Sequence, residues 1–451
     1  MKRTHLWSAL VLVLALVLGA CASGGTTTTA APGTTAAPGT TAAPGTTAAP
    51  GTTAAPGAPA PKVVTIGFTA SVTGKFNTSS TRQVDGLQLW MDDVNNAGGI
   101  TLGDGTVITF KAVTYDDESN KDRVQELYTK LATDDDADFL ISPYSSGLTA
   151  ASAVIAEQYG KVMITTGAAS DSVYTQGYTS VYQVYTPSSR YLTSSVDLLT
   201  SLDPSAKKIA FVYENSKFST GVVKAAKKYA EDNGFDVVLF EGYDPETTDF
   251  NPFINKIQAA VPDAILGGGH FQDGSAFARQ LYEKNVPVKF VSLLVAPPEP
   301  TFAELGDAAL GIAGPSQWEP AVKFTEASAA AAGADWIGLS SSDFVSEYKA
   351  AYGEEPSYHS AGGYAAGLLL QYAIQKADSL DNDAIKAALD ATNLVTFFGP
   401  LRFDTTADFH GLQIAHDMVV VQWQKSGDQL VKQIVWPKAG ATADAVYPLA
   451  R

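Results

Sequence analysis

Three regimes of hydrophobic and polar patterning follow one another along the chain. Leu6 to Leu18 is an almost wholly apolar run of thirteen residues. Residues 22–61 are low-complexity, and from Lys62 onward short apolar runs alternate with segments of helical period. In that third regime Lys62 to Phe68 predicts a β-branched strand, and Ser80 to Asn96 a helix with Val84, Leu87, Met91 and Val94 on one face. Val107 to Tyr115 predicts a strand, Lys121 to Thr133 a helix with Val124, Leu127, Tyr128 and Leu131 inward, and Phe139 to Ser142 a short buried strand. A helix near Leu148 to Tyr159 and a strand Val162 to Thr165 follow.

After Tyr185 the rhythm restarts. Strands are predicted at Lys208–Tyr213, Asp236–Phe240, Ala264–Leu266 and Phe290–Leu294, and helices at Ser219–Asn233, Phe250–Ala260 and Asp273–Lys284. A helical stretch runs from about Trp336 to Ala391, and Met418–Trp423 with Leu430–Trp436 predicts a hairpin around Lys425-Ser426-Gly427-Asp428. Strands separated by helices imply right-handed βαβ units and parallel sheets. The fold class is therefore α/β, with two lobes in succession. Ligands of open α/β sheets bind beyond the carboxyl ends of the strands. Those positions, Thr69–Thr73, Pro143–Gly147, Thr166–Ser170, Asn215–Thr220 and Gly267–Asp273, are polar and glycine-rich. Helix N-termini there favour a polar or anionic group.

The first two regimes change the setting. Lys2 and Arg3 before the apolar run, and Leu18-Gly19-Ala20-Cys21 after it, form a signal over 1–20 that is too short to span a bilayer comfortably. The four residues resemble the bacterial lipobox, which implies acylation of Cys21 and a stable lipid anchor. Cys21 is the only cysteine, so the fold has no internal disulfide. The unit GTTAAP recurs from Gly33 to Pro56, and 21–61 reads as a lipidated cysteine followed by a disordered Thr/Ala/Pro/Gly tether open to O-glycosylation. No later apolar stretch approaches eighteen residues. Without Lys2 and Arg3 the chain carries 28 basic against 47 acidic residues, a net charge of −19. That balance speaks against nucleic acid and anionic lipid surfaces as partners.

Catalytic constellations are not found. The five histidines give no H-E-x-x-H and no metal-ligand spacing, no G-x-S-x-G elbow occurs, and the run from Gly267 to Gln272 lacks the last glycine of G-x-G-x-x-G. A binding protein without cofactor or metal is expected rather than an enzyme.

The run Ile66 to Gly99 (IGFTASVTGKF…DGLQLWMDDVNNAGG) is similar to the opening of the leucine/isoleucine/valine-binding proteins, type I periplasmic binding proteins that serve ABC importers. The similarity continues at Tyr115-Asp116-Asp117, Ser142–Ser146, Ile164–Tyr178, Ile209–Gly221, Asp249-Phe250, Asp263–Phe271, Phe398–Asp404 and Val421–Trp423. It implies two Rossmann-like lobes joined by a three-crossing hinge with a ligand cleft between them, over 62–184 plus 320–410 and 185–319 plus 411–451. It implies an extracytoplasmic, membrane-anchored monomer that captures an amino acid or related organic acid or amide by lobe closure, with an ABC permease as partner. A sensor lipoprotein reporting to a signalling partner is the other functional class that this fold serves.

Residue by residue, the resemblance places Ser145 and Ser146 at the ligand carboxylate. Ala168 and Ser170 fall in the next contact loop, where Ala169 replaces the usual threonine. Phe218 stands in an aromatic position, His270 and Phe271 in the place of a tyrosine region, and Trp318 at a crossing. Each has a plainer alternative: a helix N-cap for the serines, core packing for Phe218, a satisfied loop histidine for His270, and a packed segment for Trp318. The acid that pairs with a ligand ammonium falls near Leu294 or Val295, both apolar here, which leaves Glu299, Glu319 or Asp273 as substitutes. The expected ligand therefore has a polar or anionic head and an apolar or aromatic tail, ranked above a branched-chain amino acid.

Overall fold

The computed structural model describes residues 61–449; the apolar run Leu6–Leu18, Cys21 and all of the 22–61 stretch but its last residue lie outside the described residues. Along the first part of the chain come β1 (Lys62–Ala70), α1 (Asn77–Asn96), β2 (Ile100–Thr101), β3 (Val107–Asp116), α2 (Lys121–Thr133), β4 (Phe139–Ile141), α3 (Ser146–Gln158), β5 (Met163–Thr165) and β6 (Val181–Gln183). They build a six-stranded sheet in the order β2-β3-β1-β4-β5-β6, parallel throughout except for β2 against β3. β1 is buried from Val64 to Ala70, as a strand covered by helices on both faces must be.

The second part brings α4 (Thr193–Leu202), β7 (Lys208–Glu214), α5 (Lys217–Asp232), β8 (Asp236–Tyr243), α6 (Asn251–Ala260), β9 (Ala264–Gly268), α7 (Phe271–Glu283), β10 (Phe290–Leu293) and β11 (Ala313–Ser316). The chain then runs through α8 (Glu326–Ala331), β12 (Asp335–Trp336), α9 (Ser341–Tyr352), α10 (Tyr358–Ala377), α11 (Asn382–Asp390), β13 (Leu394–Val395) and β14 (Pro400–Leu401). It closes with the hairpin β15 (Val419–Ser426) and β16 (Gln429–Trp436). The second large sheet has the order β16-β15-β11-β10-β9-β7-β8, and β12-β13-β14 form a small third sheet.

Side-chain packing assigns these pieces to two lobes. Residues of α9, α10, α11 and β13–β14 share one apolar core with β1, α1 and β3, including Trp90, Phe344, Leu369 and Phe397. The cores around Val222 and Phe277 belong to the second sheet. The chain therefore passes between the lobes three times: after β6, after β11 and after β14. α1 and α10 pack closely because glycines face the contact. A Cβ on Gly86 would sit 1.8 Å from the Ser360 carbonyl oxygen, and one on Gly363 would sit 2.0 Å from that of Gln83. No described helix is long and apolar enough to cross a membrane.

Some elements escape a reading by periodicity. β11 is Ala-Gly-Pro-Ser, with no β-branched residue, yet it pairs antiparallel with β15 over four residues. Its pairing with β10 is confined to Ala313, so the missing N–H of Pro315 removes no bond on that side. Helices α1, α3 and α7 start two or three residues earlier than their apolar stripes predict. The stretch from Trp336 to Ala391 is not one helical run: Trp336 ends a strand, and three helices follow.

Candidate functional site

Loops at the carboxyl ends of both large sheets converge on one small buried cavity. The first lobe supplies Tyr144 and Ser145 after β4, Gly167 and Ala169 after β5, and Tyr358 and His359 at the start of α10. Tyr185, on the first passage between lobes, also lines it. From the second lobe come Tyr191, Phe218 after β7, His270 after β9, and Val295 after β10. The cavity volume is about 10 Å3, room for a single water, so the lobes stand closed on each other. Gly167 makes room: its φ is +70°, and a Cβ there would lie 2.3 Å from Gln83 Oε1 and 2.7 Å from the Tyr144 ring.

Behind the aromatic lining stand two fully buried carboxylates, both from the second lobe and both met by a cation of the first. Glu214, at the end of β7, lies 3.5 Å from Lys75 Nζ and 2.7 Å from His270 Nδ1. The His270 contact falls outside hydrogen-bond angles. Burial pushes the Glu214 carboxyl up, but His270, the Ser216 hydroxyl and Lys75 outweigh it and hold the group at about 2. Glu299 lies 3.3 Å from Arg82 Nε and hydrogen-bonds His359 Nδ1. Burial opposes its charge, yet His359 and Arg82 keep it below the usual carboxylate range. For His359 burial wins over Glu299 and lowers its proton affinity, so the neutral ring faces an ionised acid. Arg82 also donates to Glu354 at 2.9 Å and to the Glu355 carbonyl at 2.8 Å.

Buried polar atoms without hydrogen-bond partners gather here. Nε2 of His270 and of His359, Gln83 Oε1, Thr166 Oγ1, Glu214 Oε2 and Glu299 Oε2 all belong to this region. Since nearly all buried polar groups in native proteins are satisfied, such a concentration marks a place built for a polar ligand. Among the described residues one group brings metal-type donor atoms together: Glu214, His270 and Asp273 hold ligand atoms within 4.8 Å of one another. Burial and the Glu214 charge raise the Asp273 carboxyl to about 6, and its oxygens already accept from the His270 backbone N–H at 2.8 Å and from the Tyr243 hydroxyl. With Lys75 on Glu214 as well, the protein itself balances most of the charge that a cation would meet.

The residues expected from sequence are distributed as follows. Ser145, Phe218 and His270 line the cavity. Ser145 is the N-cap of α3 but makes no side-chain cap bond. Ser146 lies one step behind: its hydroxyl accepts from the backbone N–H groups of Ala169 and Ser170, at 3.0 and 3.1 Å. Ala168 is fully buried, with its carbonyl accepting from Gln183 Nε2 at 3.2 Å, and Ser170 Oγ pairs with Ser172 Oγ at 3.0 Å. Phe271 opens α7 and packs against the second lobe's own clusters. Trp318 is absent from the lining because its indole packs edge-on against Phe344 and Phe397 in the first lobe's core. Of the three candidate acids, Glu299 is held by Arg82 and His359, Glu319 by Lys432 at 2.9 Å, and Asp273 by Tyr243.

Sequence reasoning missed Tyr144, Tyr185, Tyr191, Tyr358, His359, Arg82 and Glu214. One signal was present: on α1, Ser79, Arg82, Gln83 and Gly86 recur at helical spacing as a buried stripe of polar and small residues, which solvent exposure cannot explain. His359 carried none, since it stands far along the chain from the loops that it meets.

Comparison with known proteins places these features. The family model described as periplasmic binding protein matches residues 63–428. The Leu/Ile/Val-binding protein homolog 7 of Brucella melitensis is 24% identical over 409 residues, covering 87% of this chain and 96% of the relative. The leucine-, isoleucine-, valine-, threonine- and alanine-binding protein of Pseudomonas aeruginosa is 23% identical over 378 residues, covering 81% and 91%. Among solved structures, the branched-chain amino acid transporter substrate binding protein of Streptococcus pneumoniae in complex with isoleucine has a TM-score of 0.68 at 22% identity, covering 83% of this chain and 100% of that one. A solute binding protein of an ABC transporter from R. palustris in complex with benzoate has a TM-score of 0.69 at 21% identity, covering 85% and 98%.

Proposed function

The chain belongs to the periplasmic binding protein family, and from that membership we propose that it is the lipid-anchored solute-binding component of an ABC importer, taking an organic acid with an apolar or aromatic body. The family consists of extracytoplasmic solute-binding proteins that work with ABC permeases. One observation carries the reading: a buried cavity is lined by the ligand-side loops of both lobes, so a solute there contacts both only when they are shut. Differential contact of this kind is what lets a ligand favour the closed state. Lobes over 62–184 plus 320–410 and 185–319 plus 411–451, Cys21 as lipid anchor and 22–61 as tether complete the proposal.

The lining supports an acid over an amino-acid zwitterion. Five aromatic rings border the cavity, those of Tyr144, Tyr185, Tyr191, Phe218 and Tyr358, and no carboxylate does. A buried ammonium group without a charged partner is costly, and Glu214, Glu299 and Glu319 each already face a cation of the protein. Of the two ligand-bound neighbours above, one holds isoleucine and the other benzoate, and this lining meets the needs of the second. Titration calorimetry with leucine, valine, benzoate and medium-chain aliphatic acids tests the reading. Heat with the acids and none with leucine or valine is expected; tight leucine or valine binding with no response to any acid overturns the ligand class.

A further inference from the structure

The geometry points to the carboxylate-backed imidazole of His359, on the first lobe, as a hydrogen-bond acceptor for a hydroxyl or amide N–H on the ligand. This rests on the organic-acid reading above and narrows it to acids that carry such a donor. The ring lines the cavity, is fully buried and lies edge-on to Tyr144, with ring centroids 5.0 Å apart. Its Nδ1 hydrogen-bonds Glu299. A carboxylate at Nδ1 fixes the tautomer, so the neutral ring carries its proton there and presents Nε2 as a bare acceptor. That Nε2 has no partner.

Arg82 faces Glu299, so that acid does not require an imidazolium as its counter-ion. His359 is otherwise surrounded by the rings of Tyr144, Tyr185 and Tyr358. A bare lone pair repels a carboxylate and gives an ammonium group no full counter-charge, whereas a hydroxyl or amide N–H matches it.

Calorimetry on the full chain with benzoate, 3- and 4-hydroxybenzoate and the corresponding methoxybenzoates tests the assignment. A hydroxybenzoate should bind roughly five- to tenfold more tightly than benzoate, the range of one net hydrogen bond, and the methyl ether should lose that gain. His359→Phe should bring the hydroxybenzoate-to-benzoate affinity ratio toward one. His359→Gln, which keeps an acceptor, should retain part of it and covers the case of a phenylalanine variant that does not fold. A wild-type ratio of one with benzoate bound, or a ratio that survives His359→Phe, overturns this inference and leaves the organic-acid reading standing. Binding of leucine or valine alone overturns both.

Discussion

Glu214 shows how one residue ties the site to stability. It is fully buried, yet held at about 2 against an ordinary value of 4.5. A carboxyl whose folded value lies below its unfolded one adds stability above the unfolded value and loses it as pH falls toward the folded one. The window is therefore pH 4.5 down to about 2, and the difference is on the order of 3 kcal/mol. Urea unfolding of the wild type should weaken by that order across the window, and Glu214→Gln should flatten the pH dependence there. An unchanged slope in the variant would mean that Lys75 and His270 do not stabilise the ionised acid. Glu214 was illegible in the sequence because nothing local distinguishes the last residue of a strand that faces a cleft from one that faces solvent. Ser145, Phe218 and His270 were legible for the opposite reason: each follows a recognisable strand by a few residues, where α/β sheets place their ligand loops.

Among the elements, the α1–α10 contact has the least slack. In an exposed helix, Gly→Ala stabilises by up to about 1 kcal/mol. At Gly363 the sign should reverse, because a Cβ would lie 2.0 Å from the Gln83 carbonyl oxygen. Gly363→Ala is expected to destabilise by about 2 to 3 kcal/mol, the scale of overpacking a core, read as a lower urea midpoint. Gly147→Ala in α3, where a Cβ meets nothing within 4 Å, should leave the midpoint unchanged or slightly higher. The same contrast explains what was readable. Strands such as Lys208–Glu214 and helices such as Lys121–Thr133 are written in local pattern, and the predicted hairpin forms over β15 and β16. β11 is not so written, because its strand conformation comes from β15, more than a hundred residues later. β2 and β6, two and three residues long, are too short to show a period.

For the whole molecule, lobe closure and anchoring are the measurable consequences. Small-angle scattering with a saturating ligand should give a smaller radius of gyration than without it, because a solute that contacts both lobes favours the closed form, in which Lys75–Glu214 and Arg82–Glu299 bridge them. An unchanged radius would count against a hinge. Cys21→Ser should move the protein from the membrane fraction into the soluble one, and retention on membranes would rule out the lipid as anchor. The threefold passage of the chain between lobes has one more consequence, in time rather than in space. The second sheet is incomplete until β15 joins β11, and the first lobe's core lacks its α10 face until residue 377 is made. No partial product of the ribosome, growing from its first residue, contains a finished lobe until nearly the whole length exists. Synthesis order thus delays native burial until the chain is almost complete.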